Sequence, residues 1–66
     1  MTYLYKIPYS GVAPVLVEKP GDPIRIGWVR GKLAAISSKD HAIYIESEQH
    51  PDEVHGFAEY FFKTIT

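Results

Sequence analysis

Residues 24–47, IRIGWVRGKLAAISSKDHAIYIES, contain three short apolar runs separated by polar residues or glycine. The runs 24–30, 32–37 and 41–47 each have the usual length of a β-strand and are rich in β-branched or aromatic residues. Gly31 permits a tight turn between the first two runs, and the Ser-Lys-Asp sequence before the third run favours another turn. The stretch therefore predicts an antiparallel β-meander that forms the middle of the fold.

Two more strands are predicted before the meander. Residues 2–9 alternate between two sets of side chains, as an extended strand with two different faces does. Residues 12–18 are apolar but contain Pro14, which favours an edge position or a bulge because proline cannot donate a ladder hydrogen bond. The Lys-Pro-Gly-Asp sequence at 19–22 predicts a type II turn. Gly27 predicts a bulge or bend that would let a small sheet curl.

The last third of the chain predicts a helix at about 51–63. Pro51 suits the first helical position, and two acidic residues follow it in the first turn. Gly56 would lower the stability of this helix by about 1 kcal/mol relative to alanine, which weakens the helix prediction. The alternative is a helix that ends at Glu59 and a final strand at 60–66, because Tyr-Phe-Phe and Thr-Ile-Thr favour β-structure. The apolar stripe that carries the helix prediction comprises Val54, Phe57, Ala58, Phe61, Phe62 and Ile65.

These elements predict a single β-rich α+β domain over residues 1–66. About five short strands would form a small curled antiparallel sheet, an SH3-like or OB-like partial barrel, with the C-terminal helix covering an open end or face. A chain of 66 residues lies near the lower size limit for folding without disulfides or metal ions. Because the chain has no cysteine, association into a homodimer is an alternative source of stability.

The sequence predicts a cytoplasmic protein. The N-terminal residues lack the charged and long apolar regions of a secretory signal, and no run approaches the roughly 18 apolar residues of a membrane span. The absence of cysteine fits a reducing compartment. The small size would suit an accessory or phage-type protein.

Charge is divided along the chain, although the net charge is only −1. Residues 1–39 carry six basic and two acidic side chains, a balance of +4, whereas residues 40–66 carry one basic and six acidic side chains, a balance of −5. Two interpretations are open: the halves lie against one another with their charges solvated on different faces, or each half presents a patch of its own sign.

Neither a metal site nor an enzyme is predicted. His50 and His55 are five residues apart, which does not place two ligands on one helical face, and His55 with Glu59 offers only two ligands. No serine lies in a Gly-x-Ser-x-Gly motif, and a domain this small rarely encloses a small-molecule pocket. We therefore expect no catalytic residues, no cofactor and no metal ion.

Protein binding is the function that the sequence favours. The nine aromatic residues and the many aliphatic ones exceed what so small a fold can bury, so part of the tyrosine row or of the predicted helix face would form an interface. An acidic group could steer a basic partner, as in a regulator or inhibitor that occupies a nucleic-acid-binding surface. The candidate residues are Tyr3, Tyr5, Tyr9, Glu46, Glu48, Asp52, Glu53, Phe57, Tyr60 and Phe61.

Nucleic-acid binding is the first alternative, because basic residues on the strands could contact phosphates while aromatic rings stack on bases. Its candidate residues are Arg25, Trp28, Arg30, Lys32 and Lys39. A structural subunit of a larger assembly is the second alternative. Stoichiometry would separate it from a regulator, because a fixed oligomer favours a structural role and a lone monomer favours regulation. No membrane partner is expected.

Overall fold

A computed structural model describes residues 1–66 and shows one antiparallel sheet of five strands. The strands lie in the order β2-β3-β4-β1-β5 and do not close into a barrel, because β2 and β5 each pair on one side only. A 3₁₀ turn and a single-turn helix precede the last strand. The elements are β1 (Tyr3–Pro8), β2 (Pro23–Ile26), β3 (Val29–Ser37), β4 (Ala42–Ser47), the 3₁₀ turn (Pro51–Glu53), α1 (Phe57–Tyr60) and β5 (Phe61–Thr64).

The two central strands, β1 and β4, form the best-buried part of the sheet. Tyr5 lies opposite Ile45, and both side chains have no exposed surface. Residues that are opposite one another share a face, so the alternation in β1 and β4 gives one covered face and one open face. Strands at 2–9 and 41–47 were expected from this alternation, and the structure contains both with slightly shorter bounds.

The turn of the first hairpin lies at Gly27–Trp28, which corrects the prediction that runs 24–30 and 32–37 are joined at Gly31. Ile26 pairs with Val29, so the hairpin loop has two residues. Gly27 has φ +59°, as the first central position of a type II′ turn requires, and this turn matches the twist of the flanking strands. Gly31 instead continues β3, where it lies opposite Ile24.

No strand forms at 12–18, contrary to the prediction. Residues 9–22 form the connection from β1 to β2, and this connection must pass β4 and β3, which lie between those two strands. Pro14 removes one ladder donor in the middle of the segment. The result is an unpaired connection with bends at Val12 and Val17, and only Leu16 of the apolar run packs against the core.

The prediction of a single helix at 51–63 is also wrong. The 3₁₀ turn ends before Val54, and Gly56 then adopts a left-handed conformation with φ +74°, so two short elements replace one helix. The aromatic residues that follow join the sheet, where Phe61 lies opposite Tyr5. This arrangement corresponds to the alternative of a short helix followed by a final strand.

The core lies between the covered face of the sheet and the irregular segments that cross it. Val54, in the segment after β4, inserts into this layer, and Tyr60 and Leu16 pack at its margin. No helix is long and apolar enough to cross a bilayer. The buried cluster comprises Tyr3, Tyr5, Ile24, Val29, Leu33, Ile43, Ile45 and Val54.

Gly31→Ala should destabilise the fold, because a Cβ at Gly31 would lie 2.9 Å from the Ser47 Cβ and still closer to the Glu46 carbonyl oxygen. Backbone atoms of a neighbouring strand cannot move aside easily, so we expect a cost of about 1–3 kcal/mol in urea unfolding. Ala35→Ser adds one atom at an exposed position of the same strand and should change stability by no more than about 0.5 kcal/mol. Equal stability of the two variants would contradict the close packing of β3 on β4.

Tyr5 should make the fold sensitive to alkaline pH. Burial, with smaller contributions from Tyr3 and Glu53, raises the pKa of Tyr5 from 10.0 to about 12. The unfolded chain loses this proton above about pH 10. The folded chain holds it longer, so the free energy of unfolding falls as the pH rises through this window.

Tyr5→Phe should therefore show a shallower loss of stability above pH 10 in urea titrations. At pH 7 the variant should lose about 1 kcal/mol, because the Tyr5 hydroxyl donates to the Gln49 carbonyl oxygen. Tyr44→Phe tests a second source of the alkaline slope, because a hydrogen bond to Asp40 also raises the pKa of the Tyr44 hydroxyl. An alkaline slope that Tyr5→Phe leaves unchanged would contradict the role of this residue.

Candidate functional site

The tyrosine row predicted as an interface mostly faces the core. Tyr3 is 8% exposed and Tyr5 is 0% exposed, so neither offers a free surface. Tyr9 is half-buried, and its hydroxyl donates to the Ser37 carbonyl oxygen at 3.2 Å. The sequence showed that the tyrosines share one side of β1, but not that this side is buried. It is buried because the segment after β4 folds over it.

The predicted aromatic residues near the C-terminus are partly buried as well. Tyr60 and Phe61 pack against the core, and the Phe61 ring centroid lies 6.2 Å from those of both Tyr3 and Tyr5. Phe57 is 44% exposed. Of the six aromatic residues predicted for protein binding, Phe57 alone is exposed.

The acidic candidates are all exposed, but they do not form one site. Glu46 lies on the open face of β4, and Glu48 follows that strand. Glu53 accepts a hydrogen bond from the His50 backbone N–H at 3.0 Å, and the His50 Nδ1 accepts one from the Asp52 N–H at 3.2 Å. This capping box gives Asp52 and Glu53 a local structural role at the 3₁₀ turn.

Four of the five nucleic-acid candidates come together on the β2–β3 hairpin. Arg25 lies directly opposite Arg30, Trp28 occupies the turn, and Lys32 follows on β3. Lys39 lies in the turn after β3, at the other end of this nine-residue strand. We call residues 25–32 the basic hairpin.

Gln49 holds the basic hairpin through two side-chain hydrogen bonds, a role that the sequence did not predict. Its side-chain amide donates to the Trp28 carbonyl oxygen at 3.1 Å, and its Oε1 accepts from the Arg30 backbone N–H at 3.2 Å. The Trp28 side chain is 62% exposed, with its ring centroid 5.9 Å from that of His55. A polar linker carries no sequence signal for such a contact, because the contact depends on the path of the chain after β4.

The open face of the sheet carries a shallow groove of about 540 Å³ beside Phe62 and Tyr44. These two rings pack edge to face at 5.6 Å. The ammonium groups of Lys6 and Lys63 lie 5.8 Å and 6.0 Å from the centroid of Phe62. Cation–π and edge contacts cover part of this aromatic surface, and Phe62 remains 49% exposed.

The most exposed apolar side chains lie in the connection between β1 and β2. Val12, Val15 and Val17 are 92%, 98% and 90% exposed. We call residues 11–18 the valine arm. Its exposure was not predicted, although Pro14 within an apolar run is the signal that could have shown that the run does not join the sheet.

The backbone of the valine arm is unpaired. None of its N–H or C=O groups makes a hydrogen bond within the chain. From Val15 to Glu18 the side chains alternate between exposed and half-buried, with Leu16 against the core. The arm thus has a strand-like burial pattern only over these four residues and bends at Val17. It is anchored by Leu16, and no partner strand satisfies its backbone.

Comparison with known proteins identifies no relative: the chain matches no protein-family model, no curated protein and no solved structure. The surfaces that a ligand or partner could contact are the valine arm, the basic hairpin and the open face.

Proposed function

We propose that this protein is a small protein-binding module whose interaction element is the valine arm. The observation that carries this proposal is the nearly complete exposure of Val12, Val15 and Val17 on a backbone without hydrogen bonds. An unpaired segment with these properties can straighten and add to the free edge of another sheet. Backbone hydrogen bonds would then supply affinity, and the valine side chains would supply specificity.

The partner that fits the arm is a protein with an unpaired strand edge and apolar side chains beside it. Val15 and Val17 project from the same side of the arm, so one such edge can cover both. Full burial of each side chain would contribute roughly 1.5 kcal/mol. The open face is a weaker candidate, because Phe62 already packs against Tyr44 and two lysines.

A regulatory or inhibitory role and a role as a structural subunit both use this binding mode. A monomer that binds reversibly supports regulation, and a fixed oligomer supports a structural subunit. We propose a cytoplasmic setting, which the absence of cysteine supports. The relationship to SH3-like or OB-like barrels stays a prediction.

Val17→Asp should weaken partner binding at least tenfold, because the new carboxylate would be buried against apolar side chains. Immobilised wild-type protein and the variant are compared for capture of proteins from an extract, and each captured protein is then purified and its affinity measured. Ser38→Asp is the matched control, because it adds the same charge in an exposed turn outside the arm. A partner that binds both variants equally does not use the arm.

Hydrogen exchange tests the backbone part of the proposal. The arm amides should exchange rapidly in the free monomer and become protected in the complex, since strand addition gives them acceptors. Sedimentation at several concentrations shows whether a second copy of the chain is the partner. Arm amides that stay unprotected in a purified complex would contradict strand addition.

A further inference from the structure

We infer that the basic hairpin is a binding site for single-stranded nucleic acid, with Arg25 and Arg30 on phosphates and Trp28 on a base. This site adjoins the valine arm at Glu18, but it does not depend on the function proposed for the arm. Three observations support it: two arginines directly opposite one another, an exposed tryptophan at the tip of the same hairpin, and a glutamine side chain that hydrogen-bonds to the backbone of Trp28 and Arg30.

The arginine pair is electrostatically unfavourable in the free protein. Arg25 and Arg30 are directly opposite on adjacent strands, and like charges in this position destabilise a sheet. Neither guanidinium has a carboxylate oxygen within 4.0 Å, which is true of every lysine and arginine in the structure. An anion bound between the two guanidinium groups would relieve this repulsion, and phosphate matches their geometry.

Trp28 adds a stacking surface beside these charges. Its ring is largely exposed at the tip of the hairpin, where apolar burial cannot explain it. The Arg25 Nε donates to the Gly27 carbonyl oxygen at 3.2 Å, which holds the guanidinium close to the turn. A base stacked on the indole would therefore place its flanking phosphates within reach of cationic groups.

The site includes a cleft, and hydrogen bonds to Gln49 hold its backbone in place. A cleft of about 270 Å³ opens between Arg25, Trp28, Arg30 and Gln49. The two hydrogen bonds from Gln49 to the hairpin backbone hold the turn relative to β4. Such a braced site loses less conformational entropy on binding than a mobile loop does.

Single-stranded nucleic acid fits this site better than a duplex or a simple polyanion. Stacking on Trp28 requires a base whose face is free, and bases in a duplex already stack on one another. Glu18 lines a neighbouring groove with both arginines and opposes the binding of any anion. Its removal should therefore strengthen the interaction.

The test measures fluorescence anisotropy of labelled 12-nucleotide mixed-sequence DNA and RNA, with protein up to about 0.5 mM. Wild-type protein should bind both saturably, and affinity should fall about tenfold between 50 and 200 mM salt, as two or three phosphate contacts predict. Trp28→Ala should weaken binding at least about fivefold. Arg30→Gln should weaken it and reduce the salt dependence, while Glu18→Gln should strengthen it.

Lys39→Gln is the matched control, because it removes one positive charge at the far end of β3. It should change affinity less than twofold. Urea unfolding shows that each variant is folded, and Arg30→Gln should be at least as stable as wild type because it removes the like-charge contact. This result separates loss of binding from loss of structure.

Three outcomes would overturn the inference. The first is the absence of salt-dependent binding at 50 mM salt. The second is an equal effect of Lys39→Gln and Arg30→Gln, which would indicate diffuse attraction to net positive charge. The third is binding of inorganic polyphosphate or duplex DNA as tightly as single strands, with no effect of Trp28→Ala, which would exclude base stacking.

Discussion

The pairing of β1 with β4, centred on Tyr5 and Ile45, is the constraint on which the rest of the structure depends. Both side chains are fully buried, and the register of the two strands assigns each of their residues to the covered or the open face. A slip of one residue would move Tyr3 and Tyr5 onto the open face. The Tyr5 hydroxyl also bonds to the Gln49 carbonyl oxygen, so the same pairing positions the segment that crosses the core and braces the hairpin.

One consequence is that a short chain covers only one face of its sheet. Ten of the 66 residues are buried, and the accessible surface is 4593 Å². The usual scaling with mass gives about 4250 Å² for a protein of this size. The excess is consistent with an open sheet whose covering segments are irregular. Apolar side chains that a larger domain would bury, those of the valine arm above all, therefore remain on the surface.

The two surfaces that result use different physical interactions. The valine arm offers unpaired backbone groups and aliphatic side chains, which suit another polypeptide. The basic hairpin offers like charges and an exposed indole, which suit a phosphate-linked base. The basic and the acidic halves of the chain meet within the sheet, where Lys32 of β3 lies directly opposite Glu46 of β4. The arginine pair differs from Lys32 because Arg25 and Arg30 lie directly opposite one another, so each faces a like charge.

The sequence by itself determined the class of the fold, the two central strands and the composition of the basic hairpin. Period-two alternation and β-branched residues are local signals, and they act within a few residues. Only the tertiary structure decided that Tyr3 and Tyr5 are covered, that the turn lies at Gly27 and not Gly31, and that the valine arm stays outside the sheet. Each of these depends on contacts between distant segments: the path of the chain after β4, the packing of Gly31 against β4, and the crossing from β1 to β2. The C-terminal segment also could not be predicted from local signals. Its apolar stripe is typical of a helix, but the helix ends at Tyr60 because Phe61 pairs with Tyr5 of β1.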